Sequence, residues 1–227
     1  MMSLATSEHT VTAFDADLRE LTRMTAEMGG RVEQQLHSAI GALIRRDCEM
    51  GRRVVLADLT LDALQQEIEE KAIATIAMRQ PMAGDLREVV GVLRIANDLE
   101  RIGDLAKNIA KRVAVLDGED IPRQTRRGMS HIMGIAIGLL AEVLDAFVDA
   151  DSTKAAAVRS RDAEIDVMYT SLFREILASM MEDSGIVTAG VHLLFCAKNI
   201  ECIGDHVTDI AESVCYIIRT EVESVGH

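Results

Sequence analysis

The sequence predicts an all-α protein made of two tandem three-helix bundles related by a pseudo-two-fold axis. Three observations carry this. Almost every segment spaces its apolar residues with the helical period, only two prolines interrupt 227 residues, and the second half repeats the first. Aromatic residues are scarce and Trp is absent, so the core must come from Leu, Ile, Val, Ala and Met. Those side chains suit helices better than sheets.

The elements follow in order. The spacing predicts a first helix over about 12–47 and a second over about 50–79. Pro81 breaks the chain, and Asp85 is placed to cap a third helix that reaches about Leu116. The polar stretch DGEDIPRQTRRG, residues 117–128, is the one clear linker, with Pro122 suited to the first turn of a fourth helix ending near Asp149. Ser152 is placed to cap a fifth helix reaching about Met181. Glu182-Asp183-Ser184-Gly185 reads as a turn, and a sixth helix follows over about 187–221.

The repeat fixes the organisation. LRIANDLERIGDLAKNIAKRV (93–113) aligns without gaps to LFCAKNIECIGDHVTDIAESV (194–214), with nine of 21 positions identical at an offset of 101 residues. That period is too long for a solenoid and fits a duplicated three-helix unit. The expected units are residues 1–117 and 118–227.

Composition excludes several classes. A net charge of −13 leaves no general basic face for nucleic acid. Cys48, Cys196, Cys202 and Cys215 lack zinc-knuckle or redox spacing and read as small buried hydrophobes in a reducing compartment. The opening MMSLATSEHT lacks the basic and apolar regions of a secretory signal. The richest apolar run, Ile132–Leu144, is too short for a membrane span and contains Glu142. A soluble, cytoplasmic protein is expected.

The acidic residues carry the chemistry. Asp58 and Asp62 lie on the second helix, Glu100 and Asp104 on the third; 62 and 100, like 58 and 104, are equidistant from Pro81. In an antiparallel pair such residues stand at one level. Asp162 and Asp166 mirror Glu201 and Asp205 about the EDSG turn in the same way. Two hairpins thus each gather four carboxylates, whose repulsion must raise their pKa values or draw in cations. Oxygen-only sets suit Mg²⁺, Mn²⁺, Fe or Zn²⁺. Glu100 and Asp104 prolong an apolar stripe through Leu93, which places them at the margin of a groove. Gly103 and Gly204 stand between Glu and Asp in both halves, for close backbone approach or for room around a metal. Asn108 and Asp209, one turn on, and His206, about 100° around the helix from Asp205, are weaker ligand candidates.

At this point the chain resembles a family. DLERIGDLAKNIAK (98–111) and NIECIGDHVTDIAE (199–212) are similar to the paired ERIGD-type motifs of PhoU proteins, and RQPMAGDLREV (79–89) to that family's segment between its second and third helices. The resemblance covers essentially the whole chain. It implies two three-helix bundles and multinuclear metal clusters on paired (E/D)xxxD motifs. Asp58, Asp62, Glu100 and Asp104 would form the first, and Asp162, Asp166, Glu201 and Asp205 the second. It also implies a non-enzymatic regulator and homodimer. That regulator would serve the phosphate ABC transporter, through its ATPase component, and would restrain a phosphate-sensing histidine kinase when phosphate is ample, meeting the membrane only through these partners. Two departures bear on the equivalence of the sites: Cys202 stands where the first half has Arg101, and the second hairpin has no counterpart of Pro81. The alternatives are a carboxylate-bridged metal-dependent hydrolase and a metal-free helical scaffold. Neither a nucleophile elbow nor a P-loop supports the former, and no Glu-x-x-His pair supports a ferritin-like centre.

Overall fold

The described residues fold into seven α-helices: α1 (Leu4–Arg45), α2 (Cys48–Arg79), α3 (Ala83–Val113), α4 (Arg123–Val148), α5 (Ser152–Arg159), α6 (Asp162–Glu182) and α7 (Val187–Ser224). A short 3₁₀ turn, Ser184–Ile186, precedes α7. This computed structural model describes residues 4–119 and 121–224, and no strand occurs among them. Residues 1–3 of the opening decapeptide and Asp120 of the polar linker lie outside the described residues. Helices α1, α2 and α3 pack mutually as one bundle; α4, the α5–α6 rod and α7 form the other.

The corners show why the helices stop where they do. Arg46 and Ala150 adopt left-handed φ values of 57° and 52°. The next residue returns an N–H to a carbonyl five residues back: Asp47 to Ala42 and Asp151 to Ala146, both at 2.9 Å. This satisfies the orphan carbonyls at the ends of α1 and α4. The same aspartates cap the helices that follow. Asp47 accepts from the Met50 N–H, and Asp151 from those of Thr153 and Lys154. Ser152 is therefore the first residue of α5, and the cap is Asp151, one residue earlier than the sequence suggests. Likewise α3 begins at Ala83, with Met82 at the cap position. Asp85 falls in its first turn, where a negative charge complements the helix dipole.

The predicted fifth helix is broken in two. Ser160 bonds its hydroxyl to the Ala157 carbonyl at 2.7 Å, competing with the helical ladder. The Arg161 and Glu164 N–H groups then turn to carbonyls three residues back. The Arg161 guanidinium fixes the kink by bonding Glu142 of α4 and Glu164. Asp162 consequently stands at the N-terminus of a new helix.

The bundles meet along α3 and α7 and along α1 and α4. The α3–α7 seam is antiparallel. Asp98 meets His206 at 3.1 Å, and Arg112 meets His192 at 3.0 Å while stacking over Phe195. The connection between bundles is pinned by buried Leu116 and Ile121 and by Arg46, which donates to the Glu119 carbonyl at 2.8 Å. Helices α4 and α7 are long and apolar enough in composition to cross a membrane, which the count of consecutive apolar residues did not suggest. In α4 the apolar side chains instead fill the core: Met129, Ile132, Met133, Leu140 and Val143 are fully buried. Each such side chain contributes roughly 1.5–3 kcal/mol.

Candidate functional site

The first hairpin, α2 and α3, brings its four carboxylates within electrostatic reach of one another. Burial, and then the charges of Asp104, Asp62 and Asp58, push the Glu100 carboxyl above its ordinary range, with Arg101 opposing. Asp58 is almost fully buried, Glu100 and Asp104 are half-buried, and Asp62 is exposed. The groove margin expected for the set thus grades from core to solvent.

Two groups hold the buried end that sequence reasoning missed. The Lys107 ammonium donates to Asp58 Oδ2 and Asp104 Oδ1, bridging α2 and α3. Burial works against its charge, yet the bonds to Asp104 and Asp58 outweigh it and raise its pKa. The Gln35 amide, from α1, donates to Asp58 Oδ1 and to the Gly103 carbonyl, both at 3.3 Å. Both oxygens of Asp58 are therefore engaged. Lys107 stands three residues after Asp104, a helical ion-pair spacing, and that was the available signal. Its reach to Asp58 depends on the neighbouring helix.

The second hairpin, α6 and α7, assembles the mirrored set with different neighbours. Burial first, then Glu201, raise the Asp205 pKa; Lys198 opposes, and Asp162 and Asp166 add to the rise. Asp162 Oδ1 accepts from the Thr208 hydroxyl at 2.9 Å. In the repeat Thr208 stands where Lys107 stands in the first half, so a neutral hydroxyl takes the ammonium's place. Lys198 pairs with Glu201 from the rim, half exposed, and lies 5.8 Å from the Tyr169 ring centroid. The ligand atoms of Glu201, Cys202 and Asp205 lie within 4.8 Å of one another, and the Cys202 thiol approaches Glu201 Oε2 at 3.5 Å.

Close approach accounts for the two glycines. A Cβ on Gly103 would lie 2.6 Å from Leu61 Cδ1, and one on Gly204 2.6 Å from Ile165 Cδ1. Asn108 is exposed. His206 and Asp209 turn toward Asp98 of α3, at 3.1 Å and 3.9 Å for the two carboxylates from His206 Nδ1. The bond to Asp98 raises the His206 pKa. Asp98 was not singled out in the sequence, because a partner 108 residues away leaves no local pattern. Beside this trio a cavity of about 820 Å³ opens along the α3–α7 seam, with Arg87 and Arg94 both stacked on Tyr216.

Comparison with known proteins places this architecture. A family model described as the PhoU domain matches residues 25–113 and again residues 129–214. The chain is 52% identical over 209 residues, 92% of its length and 88% of the relative's, to a "Phosphate-specific transport system accessory protein PhoU homolog" of Rhizobium meliloti (strain 1021). A protein of the same name from Caulobacter vibrioides is 45% identical over 215 residues, covering 95% of this chain and 94% of the relative. Among solved structures, PhoU from Pseudomonas aeruginosa superposes with a TM-score of 0.87 at 33% identity, over 91% of this chain and 99% of that one. The phosphate transport system regulatory protein PhoU from Streptococcus pneumoniae gives 0.83 at 28% identity, over 90% and 96%. Matched in both halves by the family model and along nearly its whole length by these relatives, the chain belongs to the PhoU family.

Proposed function

We propose that the protein is a cytoplasmic, non-enzymatic regulator of phosphate uptake and phosphate-responsive signalling. It works as an accessory of the phosphate ABC transporter, through the ATPase component. It passes the state of that transporter to a phosphate-sensing histidine kinase, and it represses the phosphate-starvation response when phosphate is ample. The observation that carries this reading is the 52% identity over 92% of the chain to a phosphate-specific transport system accessory protein. A homodimer and contact with the membrane only through partners belong to the same reading.

The metal reading rests on the donor sets. Each hairpin offers four carboxylates at two levels, an all-oxygen set for Mg²⁺, Mn²⁺, Fe or Zn²⁺. The second set needs the smaller rearrangement, since Asp162 is held only by a hydroxyl, the Glu201, Cys202 and Asp205 ligand atoms converge, and the half-exposed Lys198 has only to leave Glu201. The first fits once the Lys107 ammonium turns aside. A metal bound there would supply positive charge that draws the paired helices together; the residues orient it and exclude water at the Asp58 end.

Deleting the protein from a cell should leave phosphate-starvation genes switched on in rich phosphate, read by a reporter; normal repression in that strain refutes the signalling role. For the metal sites, Asp104→Ala with Asp205→Ala should strip bound metal while far-UV helicity stays near wild type. A double variant that keeps the wild-type metal content by mass spectrometry refutes the ligand assignment.

A further inference from the structure

We propose that the two carboxylate clusters are unequal. Lys107 is a built-in competitor that holds the first cluster closed, so a divalent cation fills the second cluster, where Thr208 stands in its place, before it enters the first. The inference rests on the metal reading above and adds the order of filling and the residue that sets it.

The bridging geometry carries the argument. In the first cluster one ammonium touches a carboxylate from each helix, Asp58 of α2 and Asp104 of α3. Its side chain is 21% exposed and that of Asp58 only 3%, so the pair is shielded from solvent. Such charge-assisted bonds are the stronger kind, and leaving a buried carboxylate unpaired is costly. A cation entering this cluster must take Asp58 Oδ2 and Asp104 Oδ1 from Lys107, while Gln35 retains Asp58 Oδ1. In the second cluster the equivalent contact is a single neutral bond from Thr208 to Asp162. The lysine there, Lys198, pairs with one carboxylate, that of Glu201, and lies beside the Tyr169 ring; its side chain is 49% exposed, so it swings into water at little cost. Asp162 also opens α6, leaving its carboxylate at a helix end.

The test is calorimetric titration of the full chain with Mn²⁺ alone, after chelator treatment, on wild type, Lys107→Met, Thr208→Lys and the double exchange. Wild type should show a tighter and a weaker class of site. Lys107→Met keeps the apolar stem and should tighten the weaker class by about tenfold or more, the equivalent of one charge-assisted bond. Thr208→Lys should weaken the tighter class by a similar factor, and the double exchange should reverse the order. Thermal denaturation gives an independent reading: metal-free Lys107→Met should melt below wild type and gain more from Mn²⁺. If Lys107→Met fails to fold, Thr208→Lys alone decides. Mn²⁺ binding that neither substitution changes overturns the gating role and leaves the metal reading standing. No Mn²⁺ binding by any of the four proteins overturns both.

Discussion

Replacing Gly103 by Ala tests the register on which the first carboxylate cluster depends. The added methyl would lie 2.6 Å from Leu61 Cδ1. That is about 1 Å inside the ~3.5–4.0 Å separation of methyl groups in contact. Leu61 is 2% exposed and cannot swing into water. Overpacking of this kind costs about 1–3 kcal/mol, against about 1 kcal/mol gained by removing a helix-interior glycine. The net expectation is a loss of about 0–2 kcal/mol. Gly134 is the control: it is helical and exposed, with nothing within 4 Å of its added Cβ. Gly134→Ala should therefore show the gain alone. The gap between the two variants is the overpacking cost itself, which at this length corresponds to roughly 2–4 °C in melting temperature per kcal/mol. Circular dichroism melts in the presence of a chelator read it directly. In a Leu61→Ala background the obstacle is gone, and Gly103→Ala should become stabilising. If Gly103→Ala melts as high as Gly134→Ala, α2 and α3 do not approach at Gly103, and Asp58 and Asp104 need not face each other.

Two further outcomes are expected. Asp17 is held by Lys71 at 2.6 Å and Arg79 at 3.1 Å, and the Lys71 bond keeps its carboxyl below the ordinary range. Its stabilising contribution is thus present above the unfolded-state value of 3.8 and is lost as pH falls through the lower folded value. Asp17→Asn should cost about 1 kcal/mol at neutral pH, and urea midpoints should show the gap closing in acid; a gap that widens in acid refutes the pairing. Cys196 lies fully buried, and burial pushes its thiol up to about 12. Under native alkylation, peptide mapping should find it modified more slowly than Cys48, Cys202 and Cys215, each partly exposed.

Much of this was legible in the sequence because it follows from period and symmetry. Helical spacing and the single break at Pro81 gave the hairpin, and equal distances from its turn brought Asp58 level with Asp104. Whatever depended on a third element was hidden. Gln35 reaches Asp58 from α1, and Asp98 meets His206 across the seam; no spacing within one helix encodes either contact. The kink after Arg159 was hidden for another reason. Ser160 is tolerated in many helices, and the break here goes with a bond that no spacing within the helix shows, from Arg161 to Glu142 of α4. The glycines were ambiguous because tight packing and an open ligand space leave the same letter in the sequence.

The antiparallel α3–α7 seam has a consequence for any shortened chain. Because the halves are copies turned about an axis through that seam, the surface α3 offers to α7 resembles the one α7 offers to α3, and a surface of this kind can dock against a duplicate of itself. A polypeptide severed between Val113 and Arg123 would bare the α3 face that carries Gly91, Asp98 and Arg112, which in the intact chain meet Ile217, His206 and His192. Such a fragment is expected to elute from a sizing column as a pair, rebuilding between two molecules what the intact chain achieves within one.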